Sequence, residues 1–454
     1  MYRFAIEELK RWKDKANRKP LVVRGARQVG KSHLVRALAA ESFESLLEIN
    51  LETDLDAPSL FASKEPSAIV RLLEARYGKP VSPGRTLLFL DEIQAAPELL
   101  SALRYFFERL PELHVVAAGS LLDLALESRG SPVPVGRIEY HHLGPMTFEE
   151  FLLAADRRGL AELLAGYVPG AELPRAIHLE LMRLLRQYLV VGGMPASMVA
   201  FFGAGGYRES AAELQSILST YRDDFGRYGG RGDRRRLEKL FARIPQLVGS
   251  KFKYSQVDRE DRSRELGRAL DLLCGARVVH RIAHTAAGGV PLGAQVDDRD
   301  FKLLFLDVGL LCRACGLGVL DLEKAEDLML VNSGGVCEQL VGQHLLYAQE
   351  PYLEPELHCW MRQKSASSAE VDYVIAVGGR VVPVEVKAGK TGSLRSLHAF
   401  LREKELGFAL RFNADEPSLL DAETSIADAG CRRFKLLSLP LYMAGQGRRL
   451  CRSL

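Results

Sequence analysis

Long apolar runs are missing from this chain. Nothing in its 454 residues approaches the ~18 consecutive apolar residues that a bilayer-spanning helix needs. Its start, MYRFAIEELKRWKDK, is charged and amphipathic and lacks an apolar signal core. The protein is therefore expected to be cytoplasmic, with no membrane partner. Charge of one sign is missing too. A formal net charge of +3 is small for this length, so no global field marks a nucleic-acid binder and any basic surface must be local. A disulfide framework is also excluded. The seven cysteines (Cys274, Cys312, Cys315, Cys337, Cys359, Cys431 and Cys451) are odd in number and sit mostly among apolar residues, which suits reduced thiols. Cys312 and Cys315 have redox or zinc spacing, but no second Cys/His pair lies at zinc-ribbon distance, so buried core thiols are the simpler reading. There is no internal repeat and no low-complexity segment.

What is present is an ordinary soluble composition, 47% apolar and 26% charged. The length suggests about three domains at ~150 residues each. Residues 1–18 read as an amphipathic helix stopped by Pro20. Strands then alternate with helices: Leu21–Arg24, Lys31–Ala40, Leu46–Asn50, Ser67–Tyr77, Thr86–Leu90 and His114–Ala118. TLLFL and HVVAA are continuously apolar, as strands covered on both faces are. This is the pattern of an α/β fold with a parallel sheet covered by helices. From about Phe148 to Gly226 the pattern turns helical. Tyr221–Arg236 follows, with six arginines, three aspartates and four glycines, and reads as a mobile loop or linker. Residues 237–310 carry two amphipathic helices and a β-hairpin, the texture of a winged helix-turn-helix. A helix at Val336–Ala348 then leads to strands at Leu357–Met361, Glu370–Val377, Arg380–Lys387 and Phe408–Phe412, with a helix near Leu394–Leu401 and a hairpin turn at Gly378-Gly379. The expected domains are 1–150, 151–226, 227–333 and 334–454.

Two constellations carry chemistry. Gly25-Ala-Arg-Gln-Val-Gly30-Lys31-Ser32 satisfies the P-loop pattern and lies between an apolar strand and a helix. Gly25, Ala26, Arg27, Gln28, Val29, Gly30, Lys31, Ser32 and His33 are the expected nucleotide contacts, for ATP with Mg²⁺. Lys31 should reach the β- and γ-phosphates, and the Ser32 hydroxyl should ligate the metal. Downstream, TLLFL ends in Asp91 and Glu92. Asp91 is the expected second metal ligand and Glu92 the residue that polarises the attacking water. Ser120, at the tip of the next strand, is a candidate γ-phosphate sensor, and equally a helix N-cap. Arg137 is a candidate arginine finger, and equally a surface arginine. It would act only if another element or subunit, as in a homo-oligomer, brought it to the phosphates.

The second constellation is Asp372, then Glu385-Val386-Lys387. Alternation along a strand puts Glu385 and Lys387 on one face, and a hairpin at Gly378-Gly379 brings Asp372 alongside. Asp372 and Glu385 could hold Mg²⁺ against a phosphodiester while Lys387 positions the water. Glu338 and Glu370 are further acidic candidates. An exposed hairpin with cross-strand Glu–Lys pairing gives the same pattern by chance.

RGARQVGKS, FLDEIQ, AAGS, GRIEYHHLGPMTFEEF, YLVVGGMPA, YRDDF, the EVDYVI…VPVEVKAG pair and LPLYMAG together resemble a family of bacterial and archaeal ATPases. These join an AAA-type P-loop domain to a C-terminal domain of unknown function. The resemblance covers nearly the whole chain. It implies a winged-helix segment near 237–310 and, from about 334, a fold similar to the restriction-endonuclease-like superfamily. Ser32 stands where relatives often carry threonine, and either hydroxyl serves the metal. The expected function is ATP hydrolysis coupled to nucleic-acid binding, with metal-dependent cleavage open in the C-terminal domain. The alternative is a nucleotide switch that binds a protein partner and cuts nothing.

Overall fold

The computed structural model describes residues 1–122, 125–126, 136–228, 231–318, 333–364, 367–389, 394–424 and 432–454. The chain forms two compact units. The first holds Met1–Gly144 together with two short returning segments, Gly275–Arg277 and Glu350–Glu354.

In the first unit the elements are α1 (Ala5–Lys13), β1 (Leu21–Arg24), α2 (Lys31–Ser42), β2 (Ser45–Asn50), α3 (Pro66–Tyr77), β3 (Thr86–Asp91), α4 (Leu100–Arg109), β4 (His114–Gly119) and β5 (Glu139–His142). The five strands are all parallel, in the order β2-β3-β4-β1-β5. Every residue of β3 and β4 is buried, which only a sheet covered on both faces allows. On one side Leu88, Leu90, Val115 and Ala117 pack against Ile69 and Leu73 of α3 and Leu100, Leu103 and Phe106 of α4. β4 separates β1 from β3, so the ends of all three strands converge at one edge.

The second unit is built on an eight-stranded mixed sheet. Its strands are β6 (Val279–Thr285), β7 (Val296–Phe305), β8 (His358–Lys364), β9 (Ser367–Val377), β10 (Arg380–Val386), β11 (Phe408–Asn413), β12 (Ser418–Glu423) and β13 (Arg433–Pro440). Their order is β12-β13-β11-β10-β9-β8-β6-β7. The hairpin expected as a wing is thus the β6–β7 edge of this sheet, with β6 paired to β8. The β9–β10 turn is as expected: Gly378 (φ 57°) and Gly379 (φ 77°) are both left-handed, the requirement of a two-residue type I′ turn.

Helices of this unit include α5 (Arg175–Val191), α6 (Gly206–Tyr228), α7 (Arg231–Leu247), α8 (Ser263–Gly275), α9 (Ser333–Tyr347) and α10 (Arg395–Glu403). The segment 221–236, expected as a mobile linker, lies mostly in α6 and α7, although Gly229 and Gly230 are outside the described residues. Tyr221 and Phe225 of α6 pack on Phe241 of α7, at ring separations of 6.2 and 5.3 Å. That aromatic burial offsets the helix penalty of about 1 kcal/mol per glycine. Gln339 of α9 pairs its amide with both the N–H and the carbonyl of Phe305, at 2.8 and 2.6 Å, and so satisfies the edge strand β7. Tyr373 of β9 donates to the carbonyl of Glu338 at 2.8 Å, which seats α9 on the sheet. Among the described residues no single helix is long and apolar enough to cross a membrane, and none of the six described cysteines is in a disulfide.

Candidate functional site

The loop between β1 and α2 is shaped by its backbone. Gln28 (φ 64°) and Gly30 (φ 94°) are left-handed, which turns successive N–H groups toward one concavity, as in an anion-binding nest. Gly25 must be glycine, because a Cβ there would stand 2.3 Å from the Leu143 carbonyl oxygen. Gly30 N-caps α2, so the positive end of that helix adds to the loop's field. Ala26 and Val29 are buried, Arg27 is half-buried, and Gln28 and His33 are exposed. The Lys31 ammonium folds back on the loop and donates to the carbonyls of Gly25 and Ala26, at 3.2 and 2.9 Å. Burial draws its pKa down to about 8, against the opposing pull of Glu92 and Asp91. Arg3 braces the loop from outside, donating to Val29 and Gly144 carbonyls at 2.8 Å each.

β3 delivers Asp91 to this loop. The Ser32 hydroxyl donates to Asp91 Oδ1 at 3.0 Å. Burial pushes the Asp91 pKa up, while the Ser32 bond opposes it. A buried carboxylate beside a hydroxyl, both hard oxygen donors, suits Mg²⁺. Glu92 is left-handed (φ 54°), and its N–H donates back to Asp91 Oδ1 at 3.1 Å. The Gln94 amide donates to Glu92 Oε2 and accepts from the Ser120 N–H at 3.3 Å. Gly119 makes room for this, since a Cβ there would lie 2.6 Å from Gln94 Oε1. Ser120 is buried at the tip of β4, and its hydroxyl has no hydrogen-bond partner among the described residues. Arg137 donates to Glu108 of α4 at 2.9 Å, so the contact recorded for it is structural.

In the second unit β9 and β10 place Asp372, Glu385 and Lys387 together, and α9 adds Glu338. Lys387 Nζ lies 2.6 Å from Glu385 Oε1, and Asp372 Oδ2 accepts from the Val386 N–H at 2.8 Å. A residue outside the expected set also enters. Lys302 of β7, only 2% exposed, lies 3.0 Å from Glu338 Oε2 and 3.3 Å from Asp372 Oδ1, and it also contacts Glu370. Burial alone would lower its pKa, but Glu338, Asp372 and Glu370 together hold it well above the ordinary lysine value. Burial, reinforced by the charge of Asp372, pushes Glu338 and Glu385 upward. Among the described residues no group of three or more His, Cys, Asp or Glu could hold a metal ion. Glu370 also borders a cavity of about 420 Å³ whose other walls include Lys251, Lys253, Arg362 and Ser396.

Residues 17–152 match the family model of an AAA domain. Residues 182–321 and 333–418 match two families described as domains of unknown function, DUF8612 and DUF4143. The first unit carries an AAA-type P-loop domain. No curated protein matches the chain. Among solved structures, a Walker-type ATPase of Pyrococcus abyssi is 17% identical, at a TM-score of 0.42, over 68% of this chain and 95% of that one. The ORC2 protein of Aeropyrum pernix, in ADPNP–ADP complexes, is 15% identical at a TM-score of 0.32, over 72% and 95%. The Saccharomyces cerevisiae Hsp104–ADP complex is 14% identical at 0.27, over 60% and 37%. These likenesses are too distant to transfer a function.

The AAA domain gains residues that motif reasoning missed. Gln94 is one. Arg277 is another: it lies in the segment 237–310 read as helices and a β-hairpin, with no local signal. The structure places it in the first unit, buried and left-handed (φ 59°). It donates to Glu354 Oε1 at 2.7 Å, and Glu354 Oε2 lies 3.5 Å from His142 Nε2. The His142 N–H donates to the Pro351 carbonyl at 2.7 Å, and His142 is the β5 partner of Arg24, the residue before Gly25. A connected line of contacts thus runs from Arg277 to the phosphate loop. Consistent with that proximity, the Arg277 charge helps depress the Lys31 pKa.

Proposed function

We propose that the chain hydrolyses ATP in its AAA domain and couples its nucleotide state to contacts with nucleic acid. The observation that carries the first part is the 3.0 Å bond between Ser32 and Asp91, which joins the two halves of the nucleotide site. Ser32 and Asp91 would hold Mg²⁺, which when bound neutralises charge on the phosphate oxygens. Lys31 exchanges the Gly25 and Ala26 carbonyls for phosphate oxygens. Glu92 accepts the proton of the attacking water, held in place by Gln94, while Ser120 senses the terminal phosphate at the strand tip. Arg137 reaches ATP only when released from Glu108 and presented by a second copy of the chain.

Turnover measurements test this reading. Lys31→Ala should lose ATP binding. Glu92→Gln should keep binding while kcat falls by about 10²-fold or more. Wild-type turnover by Glu92→Gln would remove its catalytic assignment.

The nucleic-acid part is supported by the cavity bearing Lys251, Lys253 and Arg362, since cations near a cavity suit phosphate oxygens; Lys251 there pairs with Asp300 and Arg362 with Glu403. Arginines of 222–236 are paired in the same way, Arg234 with Glu238 and Arg236 with Asp233, Asp261 and Glu265. ATPase rate should rise with at least one of duplex DNA, single-stranded DNA or RNA, and binding should weaken steeply with salt. An unchanged rate with all three, and no binding at ~50 mM salt, would favour the switch with a protein partner.

A further inference from the structure

The carboxylates Glu338, Glu370, Asp372 and Glu385 form an acidic cluster of the kind that draws a divalent cation. What occupies it is an ammonium from the chain itself. Lys302 projects inward from β7 and is closed off from solvent. Its group has three N–H donors and meets three carboxylates: Glu338 at 3.0 Å, Asp372 at 3.3 Å, and Glu370. Two more of the cluster's oxygens are committed. Asp372 Oδ2 takes the Val386 N–H, and Glu385 Oε1 takes Lys387. Glu385 Oε2 is buried without a hydrogen-bond partner among the described residues, but a hard dication wants about six oxygen ligands and would have to displace Lys302 from Glu338, Glu370 and Asp372 to collect them. A divalent ion between Asp372 and Glu338 would stand against a fixed ammonium and meet strong repulsion at low dielectric. Four carboxylates and two ammoniums leave a formal −2, and the upward shift of Glu338 and Glu385 moves the cluster closer to neutrality.

We propose that Lys302 is the resident cation of this cluster, taking the place a divalent metal would fill, so that the sheet is assembled and charge-balanced without metal. The second unit then acts as a binding module rather than a metal-dependent phosphodiesterase.

The test uses the full chain without nucleotide, with free Mn²⁺ followed by electron paramagnetic resonance. Wild type and Asp372→Asn should take up the same number of Mn²⁺ ions, because the cluster contributes none. Lys302→Ala should gain one saturable Mn²⁺ site, and the double variant Lys302→Ala/Asp372→Asn should lose it again. Lys302→Ala should also melt at a lower temperature and be restored in part by Mn²⁺. A wild-type site that disappears in Asp372→Asn overturns the proposal, as does a folded Lys302→Ala that gains no site. If Lys302→Ala does not fold, the comparison of wild type with Asp372→Asn decides alone: a lost site refutes the proposal and equal uptake supports it.

Discussion

Lys31 illustrates how a single side chain records the state of its loop. Its ammonium is buried against two carbonyls and has a pKa drawn down to about 8. Nucleotide phosphates would restore its full charge. Binding of ATP should therefore take up a proton above pH 8, and affinity should fall by up to about tenfold per pH unit there while staying flat below. Calorimetry in two buffers of different ionisation heat measures that uptake directly. A flat affinity to pH 9.5 would mean that Lys31 stays charged without ligand. Gln94 carries a second expectation. Its amide ties Glu92 to the Ser120 backbone, so Gln94→Ala should lower kcat by about tenfold or more and leave ATP affinity nearly unchanged. A loss confined to affinity would show that Gln94 shapes the pocket rather than the base. The phosphate loop and the Asp91–Glu92 pair were legible because their chemistry demands fixed residue types at short spacing. Arg277 and Lys302 were not, since each reaches its partners across long stretches of sequence, and nothing local marks an arginine or lysine for burial.

At the scale of elements, apolar patterning located β1 to β4 and β8 to β11 to within a few residues, because buried strands are visibly apolar. β5 was missed for the opposite reason. EYHH has no apolar alternation, and it is a strand because Leu21–Arg24 offers it a free parallel edge. β12 was missed likewise: its residues are half-buried or exposed, and pairing with β13 holds it in place. The linker expected at 221–236 failed because glycine content was weighed above the spacing of Tyr221, Phe225, Leu237 and Phe241. The hairpin that carries Asp372 and Glu385 offers an elemental test. Gly378→Ala and Gly379→Ala should each cost about 1–2 kcal/mol, since alanine resists left-handed backbone. The loss should appear as a lower melting temperature with unchanged ATP turnover. An unaffected melting temperature would show that the turn does not hold the β9–β10 register.

For the molecule as a whole, acid should weaken the fold through buried histidines, three of them in the AAA domain. Burial lowers the pKa of His114 and His141 to about 4, and burial with the Arg277 and Arg24 charges lowers His142 to about 3. The folded state thus holds these rings neutral where the unfolded chain, near 6.5, would protonate them. The unfolded state binds more protons between those values, so stability is full above pH 6.5 and falls as pH drops toward 4. Thermal melts across that window should show the decline, and His142→Gln should make it shallower; identical slopes would assign the acid response to other groups. One further consequence follows from the short returns of the chain at 275–277 and 350–354. Proteins strung as beads can be cut, shuffled and fused at a single boundary, and each bead survives. Here the first unit borrows Arg277, Pro351 and Glu354 from deep within the rest of the sequence, as cloth is held by a thread that passes back through it. A fragment ending at Gly144 should leave His142 without these partners, and it should melt below the intact domain. For the same reason, recombination that exchanges only the first third of such a gene would deliver an unfinished domain, so the two units should travel through evolution as one inheritance.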